Sequence, residues 1–165
     1  MTLTQGITAL GNITIDNDTT NASTITVSDG SGITSHQGDI DLGGASLVID
    51  ENITASAGRI DLDNTTGTFS IGATAGAALT SGVNEDIDLT STSGNFSTAN
   101  GSTIVAGTGG NISYVASSTS TITTQADATT AVFQTSGDGN VTLTTAGAAI
   151  TLGDFAITAA TGNIA

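Results

Sequence analysis

The chain has no cysteine, no proline, no tryptophan and no lysine, and Arg59 is its only fixed positive side chain against 15 acidic residues, for a net charge of -14. Each absence removes a class of function. One arginine cannot neutralise a phosphate backbone, so nucleic acid is not an expected partner. Without cysteine there is no disulfide framework, no thiolate metal site and no thiol nucleophile. No run approaches the roughly 18 apolar residues of a membrane helix, and residues 1–6 lack the basic and apolar regions of a signal peptide, so membrane insertion is not expected. Aromatic residues make up only 3% of the 165 positions. The core of such a chain must therefore be built from Ile, Val, Leu, Ala and Thr rather than from large rings.

What is abundant is Gly, Thr, Ser, Ala and Asn, with 22 glycines. Small polar residues rarely repay the entropy of ordering a chain, so composition by itself reads as disorder. The pattern says otherwise. Isolated Ile, Leu, Val and Phe recur with Thr, Ser, Asn or Asp on either side, the period-2 alternation of a half-buried strand. Clusters of Gly, Asn, Asp and Ser separate these segments and supply turn chemistry. Helix is not expected anywhere, because Thr and Gly are poor helix formers and no window carries an i, i+3, i+4 apolar face.

An internal repeat organises the alternation. A five-residue motif appears as GNITI, GDIDL, GRIDL, EDIDL, GNISY and GNVTL, and a seventh copy begins as GNIA. Its first apolar positions are Ile13, Ile40, Ile60, Ile87, Ile112, Val141 and Ile164, at spacings of 27, 20, 27, 25, 29 and 23 residues. Two further apolar centres follow each motif. The second falls at Ile25/Val27, Leu47/Ile49, Phe69/Ile71, Phe96, Ile122 and Ile150/Leu152, and the third at Ile33, Ile53, Leu79, Ile104, Phe133 and Ile157. From the third centre to the next motif the distance is 7, 7, 8, 8, 8 and 7 residues. One connection is thus held nearly constant while the others vary, which chance would not produce. The prediction is all-β: a right-handed three-sided parallel β-solenoid of about six to seven coils stacked about 4.8 Å apart. It forms a single domain over residues 1–165, with repeats starting near 11, 38, 58, 85, 110 and 139 and an incomplete one at 162. The lack of proline agrees, since strand interiors must donate hydrogen bonds to their neighbours.

The GNIT, GDIDL and GNVTL segments, spaced by Thr/Ala/Gly-rich stretches, resemble the repeat shafts of filamentous-haemagglutinin-type adhesins and related giant bacterial surface exoproteins. The resemblance covers essentially the whole chain. The Asn-Pro-containing signatures of that family's secretion domain are absent from this proline-free sequence, so what is resembled is shaft. The resemblance implies a structural shaft or subunit of an extracellular bacterial fibre or adhesin. It also implies a location outside the cell or on its surface, and a host surface or matrix as a partner.

Enzymatic readings find little support. A lyase site needs a cluster of Arg or Lys, and a glycosidase needs two opposed carboxylates, one of raised pKa. His36, the only histidine, sits in a Gly-Ile-Thr-Ser-His-Gln-Gly segment and reads as a solvated turn residue. No nucleophile elbow, phosphate loop or zinc-protease motif occurs. The expectation is a chain that is no enzyme and carries no cofactor, with weak Ca²⁺ binding kept as the lesser reading of its acidic column. Aligned on the repeat, the residue after the first Ile is Thr14, Asp41, Asp61, Asp88, Ser113 and Thr142. Asp41, Asp61 and Asp88 therefore stack on successive coils and read first as a solvated acidic face, with weak calcium ligation by these three as the second reading. The residue before that Ile is Asn12, Asp39, Arg59, Asp86, Asn111 and Asn140, which sets the one cation between two acids and in a position to relieve the stack.

Two surface patterns remain. Asn-x-Ser/Thr occurs at Asn12, Asn17, Asn21, Asn52, Asn64, Asn95, Asn100, Asn111 and Asn140, where strand alternation alone would generate it by placing polar residues outward around an inward Ile. Thr24-Ile25-Thr26 and Thr121-Ile122-Thr123 fit a Thr-x-Thr binding face, but Ser46/Val48, Thr68/Ser70 and Asn95/Ser97 stand between them. The alternative function is accordingly a surface-binding module for ice or carbohydrate. At the ends, GNIA opens a coil, and Leu3 and Ile7 read as the second and third strands of another. Neither end offers a cap, so the solenoid is expected to continue, through flanking repeats or head-to-tail stacking of identical subunits.

Overall fold

The computed structural model describes residues 1–17, 23–73, 76–117, 120–124, 132–146, 149–153 and 157–165. Alternating apolar and hydroxyl-bearing residues there form short strands and no helix. In chain order the strands are β1 (Thr2–Leu3), β2 (Ile7–Ala9), β3 (Ile13–Asp16), β4 (Thr24–Val27), β5 (Ile33–Ser35), β6 (Ile40–Gly44), β7 (Ser46–Ile49), β8 (Ile53–Ala55), β9 (Ile60–Asn64) and β10 (Phe69–Ile71). They continue as β11 (Ala78–Thr80), β12 (Ile87–Ser91), β13 (Phe96–Thr98), β14 (Thr103–Val105), β15 (Ile112–Ala116), β16 (Ile122–Thr124), β17 (Phe133–Thr135), β18 (Val141–Thr145), β19 (Ile150–Thr151) and β20 (Ile157–Ala159).

Every third strand pairs in parallel, so the chain winds as a three-sided β-solenoid. The first face holds the repeat motif in the six-stranded order β3-β6-β9-β12-β15-β18, and an Ile164 bridge to Val141 adds a seventh level. The second face is the seven-stranded sheet β1-β4-β7-β10-β13-β16-β19, and the third is β2-β5-β8-β11-β14-β17-β20. Seven levels agree with the six to seven coils expected from the repeat. Every apolar centre named from spacing in the five inner coils lies in the strand expected for it.

In-register pairing turns each position into a column. Ile13, Ile40, Ile60, Ile87, Ile112 and Val141 stack along the first face. On β6 the alternation is plain, with Ile40 and Leu42 fully buried and Asp41 between them half-exposed. Ile40, Leu42, Leu47, Ile49, Ile53, Ile60, Leu62, Ile87 and Leu89 are all inward, at 0 to 1% exposure. Ile150 and Leu152 differ, at 42% and 40%, because they lie in the last coil with no coil beyond to cover them.

Among the described residues, three rings meet at mid-rod. Phe69 and Phe96 are register partners whose rings meet edge-on at 5.0 Å, and Tyr114 lies 4.9 Å from Phe96. Edge-on and tilted rings stack favourably at this spacing. The Tyr114 hydroxyl has no hydrogen-bond partner among the described residues. Burial pushes its pKa up to about 12, opposed by the nearby Ser91 side chain.

Replacing Ile60 by Asp should unfold the central coils. An unpaired carboxylate in an aliphatic column costs several kcal/mol, comparable with a whole domain's stability of about 5–15 kcal/mol. Val115, 46% exposed on the outer side of β15, is the control, and its change to Thr should shift stability by less than about 0.5 kcal/mol. Urea denaturation of both variants checks the pair.

Candidate functional site

The repeat motif concentrates polar chemistry on the outer side of the first face, in two columns. Asp41, Asp61 and Asp88 stand in register, flanked by Thr14 and Ser113. The second column runs Asp16, Gly43, Asp63, Thr90. Gly43 has no side chain, so an open groove forms there, edged by Asp16, Asp41 and Asp63.

Like charges about 5 Å apart repel by about 1 kcal/mol even in water. Arg59 is the counterweight, but across the strand from where its own column places it. Its Nη2 lies 3.1 Å from Asp61 Oδ2, and its Nη1 lies 3.9 Å from Asp88 Oδ2 one coil further on. The neighbouring Asp39 and Asp86 do not need the guanidinium, because they accept backbone N–H groups instead. Arg59 N–H donates to Asp39 Oδ1 at 3.0 Å, and Asn111 N–H donates to Asp86 Oδ1 at 2.7 Å. Among the described residues no three acids converge closely enough to hold a metal ion. Asp41, Asp61 and Asp88 form a column rather than a cage, two of them facing one guanidinium.

Partial burial raises the pKa of Asp61 above 3.8, with Asp63 adding to the rise and Arg59 opposing it. The Asp88 pKa is raised in the same way, by burial and then by Asp86, again against Arg59. Both carboxylates hold protons more readily folded than unfolded, so stability falls as pH rises through their raised values. The penalty is complete at neutral pH and lifts as pH drops toward about 4. Glu51 has the opposite sign. Backbone N–H groups of Asn52 (2.8 Å) and Gly30 (3.0 Å) lower its pKa, so its stabilising contribution is lost on acidification.

The residue before the first Ile has a role that the sequence alone did not disclose. Its side-chain oxygen accepts the backbone N–H of the equivalent residue one coil on, from Asn12 to Asp39, Asp39 to Arg59, Asp86 to Asn111, Asn111 to Asn140, and Asn140 to Asn163. Where an Asn follows, its Nδ2 donates to the same oxygen, as Asn140 does to Asn111 at 3.0 Å. The signal was present as Asn or Asp in that position of every motif except GRIDL. Arginine carries no acceptor and breaks the chain of bonds.

Other sequence candidates are dispersed. His36 is an exposed turn residue whose N–H donates to the Ala9 carbonyl at 3.0 Å. Asn12, Asn52, Asn95 and Asn100 are exposed. Asn64 is the correction to the outward-sequon rule. It is 1% exposed at an inward position of β9, and its Nδ2 donates to the Gly67 carbonyl and to Ser91 Oγ, so a glycan cannot reach it in the folded chain. Asn21 lies outside the described residues. The outer column of the second face reads Thr2, Thr26, Val48, Ser70, Ser97, Thr123 and Thr151, and Ser70 is buried, so this face is not a regular lattice of hydroxyls. The third face has a more regular stretch, Thr8, Thr34, Thr54 and Thr80 in register, before Val105 interrupts it.

Comparison with protein-family models, with curated proteins and with solved structures finds no match to this chain.

Replacing Arg59 by Gln should destabilise the rod at pH 7 by up to about 1 kcal/mol, the range for a largely exposed ion pair, and by less near pH 4. Thermal melts across that pH range read the difference; a penalty independent of pH would remove the electrostatic account. With its cation gone, the column should also draw more stabilisation from millimolar calcium than the parent chain does.

Proposed function

We propose that this chain is a structural element, a length of shaft from an extracellular bacterial fibre or adhesin that extends by coil-on-coil stacking. The observation that carries the reading is that three parallel ladders run in register through successive coils. The interface that holds one coil to the next is the same at each level and would serve further coils, whether flanking repeats or another subunit. The likeness of the GNITI, GDIDL and GNVTL segments to haemagglutinin-type shafts supports a bacterial surface as the setting. Catalysis is no part of this reading, since Arg59 is committed to Asp61 and Asp88 and the acids around Gly43 line an open groove.

One observation favours a second reading, a surface-binding module. The Thr8, Thr34, Thr54 and Thr80 column offers hydroxyls at one strand spacing, a repeat of about 4.8 Å that an ordered ligand such as ice or a polysaccharide could follow. Binding of this kind should be lost when Thr34 and Thr54 are changed to Val.

A tandem protein separates the two. Ala165 matches Asp61 in the repeat and Met1 matches Phe69, so a copy of residues 62–68 joins two chains in phase. As a shaft, the fusion should scatter as one rod, longer than the single chain by about 34 Å at unchanged cross-section, and should melt in one transition. Two hinged rods, together with retention of the single chain on ice or polysaccharide, would favour the binding module instead.

A further inference from the structure

We propose that Asn100 is a self-modification site, where the Gly101 amide nitrogen attacks the Asn100 side-chain carbonyl and the folded chain converts that residue to aspartate and isoaspartate without an enzyme. Asparagine is among the thermolabile residues, and its amide is lost fastest where glycine follows, because no Cβ crowds the attacking nitrogen. Asn100 is the only asparagine of the chain that precedes a glycine. Asn100 and Gly101 are the exposed central residues of a β-turn between β13 and β14, closed by the Ser102 N–H donating to the Ala99 carbonyl at 3.2 Å. Gly101 has a φ of 79°, as the second central residue of a type II turn requires. Both flanks of the turn are tied to the preceding coil. The Ala99 N–H and Ser102 Oγ each donate to the Ile71 carbonyl at 3.0 Å, and the Thr103 N–H donates to the Ala77 carbonyl at 2.9 Å.

The fold leaves this pair of groups open and closes the equivalent pair elsewhere. Among the described residues neither the Asn100 side chain nor the Gly101 N–H has a hydrogen-bond partner. At Asn12, Asn95, Asn111 and Asn140 both groups are held. The side-chain oxygen accepts an N–H from the next coil. The N–H of the following residue donates into the ladder, as Ile13 does to the Asp39 carbonyl at 2.9 Å and Phe96 to the Thr121 carbonyl at 2.9 Å. The turn at residues 28–31 is an internal control. It has the same closing bond, from the Ser31 N–H to the Ser28 carbonyl at 3.0 Å, and Gly30 has a φ of 78°. There the glycine N–H donates to Glu51 Oε2 at 3.0 Å, and the residue before it is Asp29, whose carboxylate is a poorer electrophile than an amide.

In the ring-closing step a bond forms between Gly101 N and Asn100 Cγ, the Cγ–Nδ2 bond breaks, and ammonia leaves with the proton of the Gly101 amide. Water then opens the succinimide. Cleavage of the N–Cγ bond gives aspartate. Cleavage of the bond from nitrogen to the Asn100 main-chain carbonyl carbon gives isoaspartate, whose backbone runs through Cβ and Cγ and is one atom longer. Either product adds one carboxylate to a net charge of -14. The longer backbone does not fit this corner as it stands. A Cβ on Gly76 in the preceding coil would fall 2.7 Å from the Gly101 carbonyl oxygen, so Gly101 packs directly on that coil. With the flanks fixed at Ile71 and Ala77, the additional atom must break the Ser102–Ala99 bond or lift Gly101 off Gly76. Aspartate leaves the backbone path unchanged.

The test is to age the folded parent chain and Asn100→Gln side by side at mildly alkaline pH, where the attacking amide loses its proton more readily, and to follow both by mass spectrometry and hydroxylamine cleavage. The parent should gain the mass of an amide-to-acid exchange at residue 100 alone. Hydroxylamine cuts the chain at a succinimide, so the parent should release fragments 1–100 and 101–165. Asn100→Gln should keep the parent melting temperature, as a substitution at an exposed turn, and should show neither change, because its longer side chain closes a less favourable ring. A folded parent that gains no mass, an equal gain in Asn100→Gln, or conversion seen only after unfolding in urea overturns the proposal. Asn100→Asp separates the new charge from the longer backbone. It should melt with the fresh parent, and the aged parent, which contains isoaspartate, should melt below both. A fully converted parent that melts with the fresh one overturns the opening of the corner.

Discussion

Parallel pairing in register is the constraint on which everything else in this rod depends. Each coil hydrogen-bonds to the next with equivalent residues aligned, so any choice made at one position is repeated at strand spacing along the rod. Repetition adds up what is favourable and what is not. Ile13 to Val141 form a continuous apolar column because Ile over Ile buries area at every level. The same geometry makes Asp41 over Asp61 over Asp88 a column of mutual repulsion, and the only arginine is spent across the two most strained members.

Asparagine solves the polar version of this problem without charge. Its Oδ1 accepts and its Nδ2 donates, so a stack of identical residues satisfies itself, as from Asn111 through Asn140 to Asn163. Aspartate fills the acceptor half, and does so at Asp39 and Asp86. These bonds lie at the corner just before β6, β9, β15 and β18, where the ladder of main-chain bonds is beginning. They hold the coil-to-coil register at the point where the motif Ile enters the core.

This dependence explains what was legible in the sequence. A constant spacing between Ile33 and Ile40, Ile53 and Ile60, or Leu79 and Ile87 is the linear trace of a corner whose length the stack permits to vary by only one residue, so strands and faces could be assigned by counting. The acidic column was legible for the same reason. What counting could not give was reach and direction. Arg59 belongs by position to the Asp39/Asp86 column, yet its long side chain extends to Asp61 and Asp88. Asn64 carries a surface-type motif but has the inward parity of Ile60 and Leu62 on β9, where Ser91 and the Gly67 carbonyl receive its amide. The need for glycine at 139 and 162 is set by a carbonyl in the preceding coil, more than twenty residues away in sequence, and no local turn rule describes it.

A solenoid also sorts its surfaces by what they leave unsatisfied. Along the sides, each strand has its ladder bonds made, and a net charge of -14 opposes lateral contact between rods. Between coils, the ladder bonds and the Asn and Asp side chains are paired level by level. Electrostatics and hydrogen bonding therefore act on different surfaces and in the same sense. The first keeps the sides of neighbouring rods apart, and the second holds successive coils together along the axis. Every contact that the winding makes is thus the same one, repeated from coil to coil along the axis.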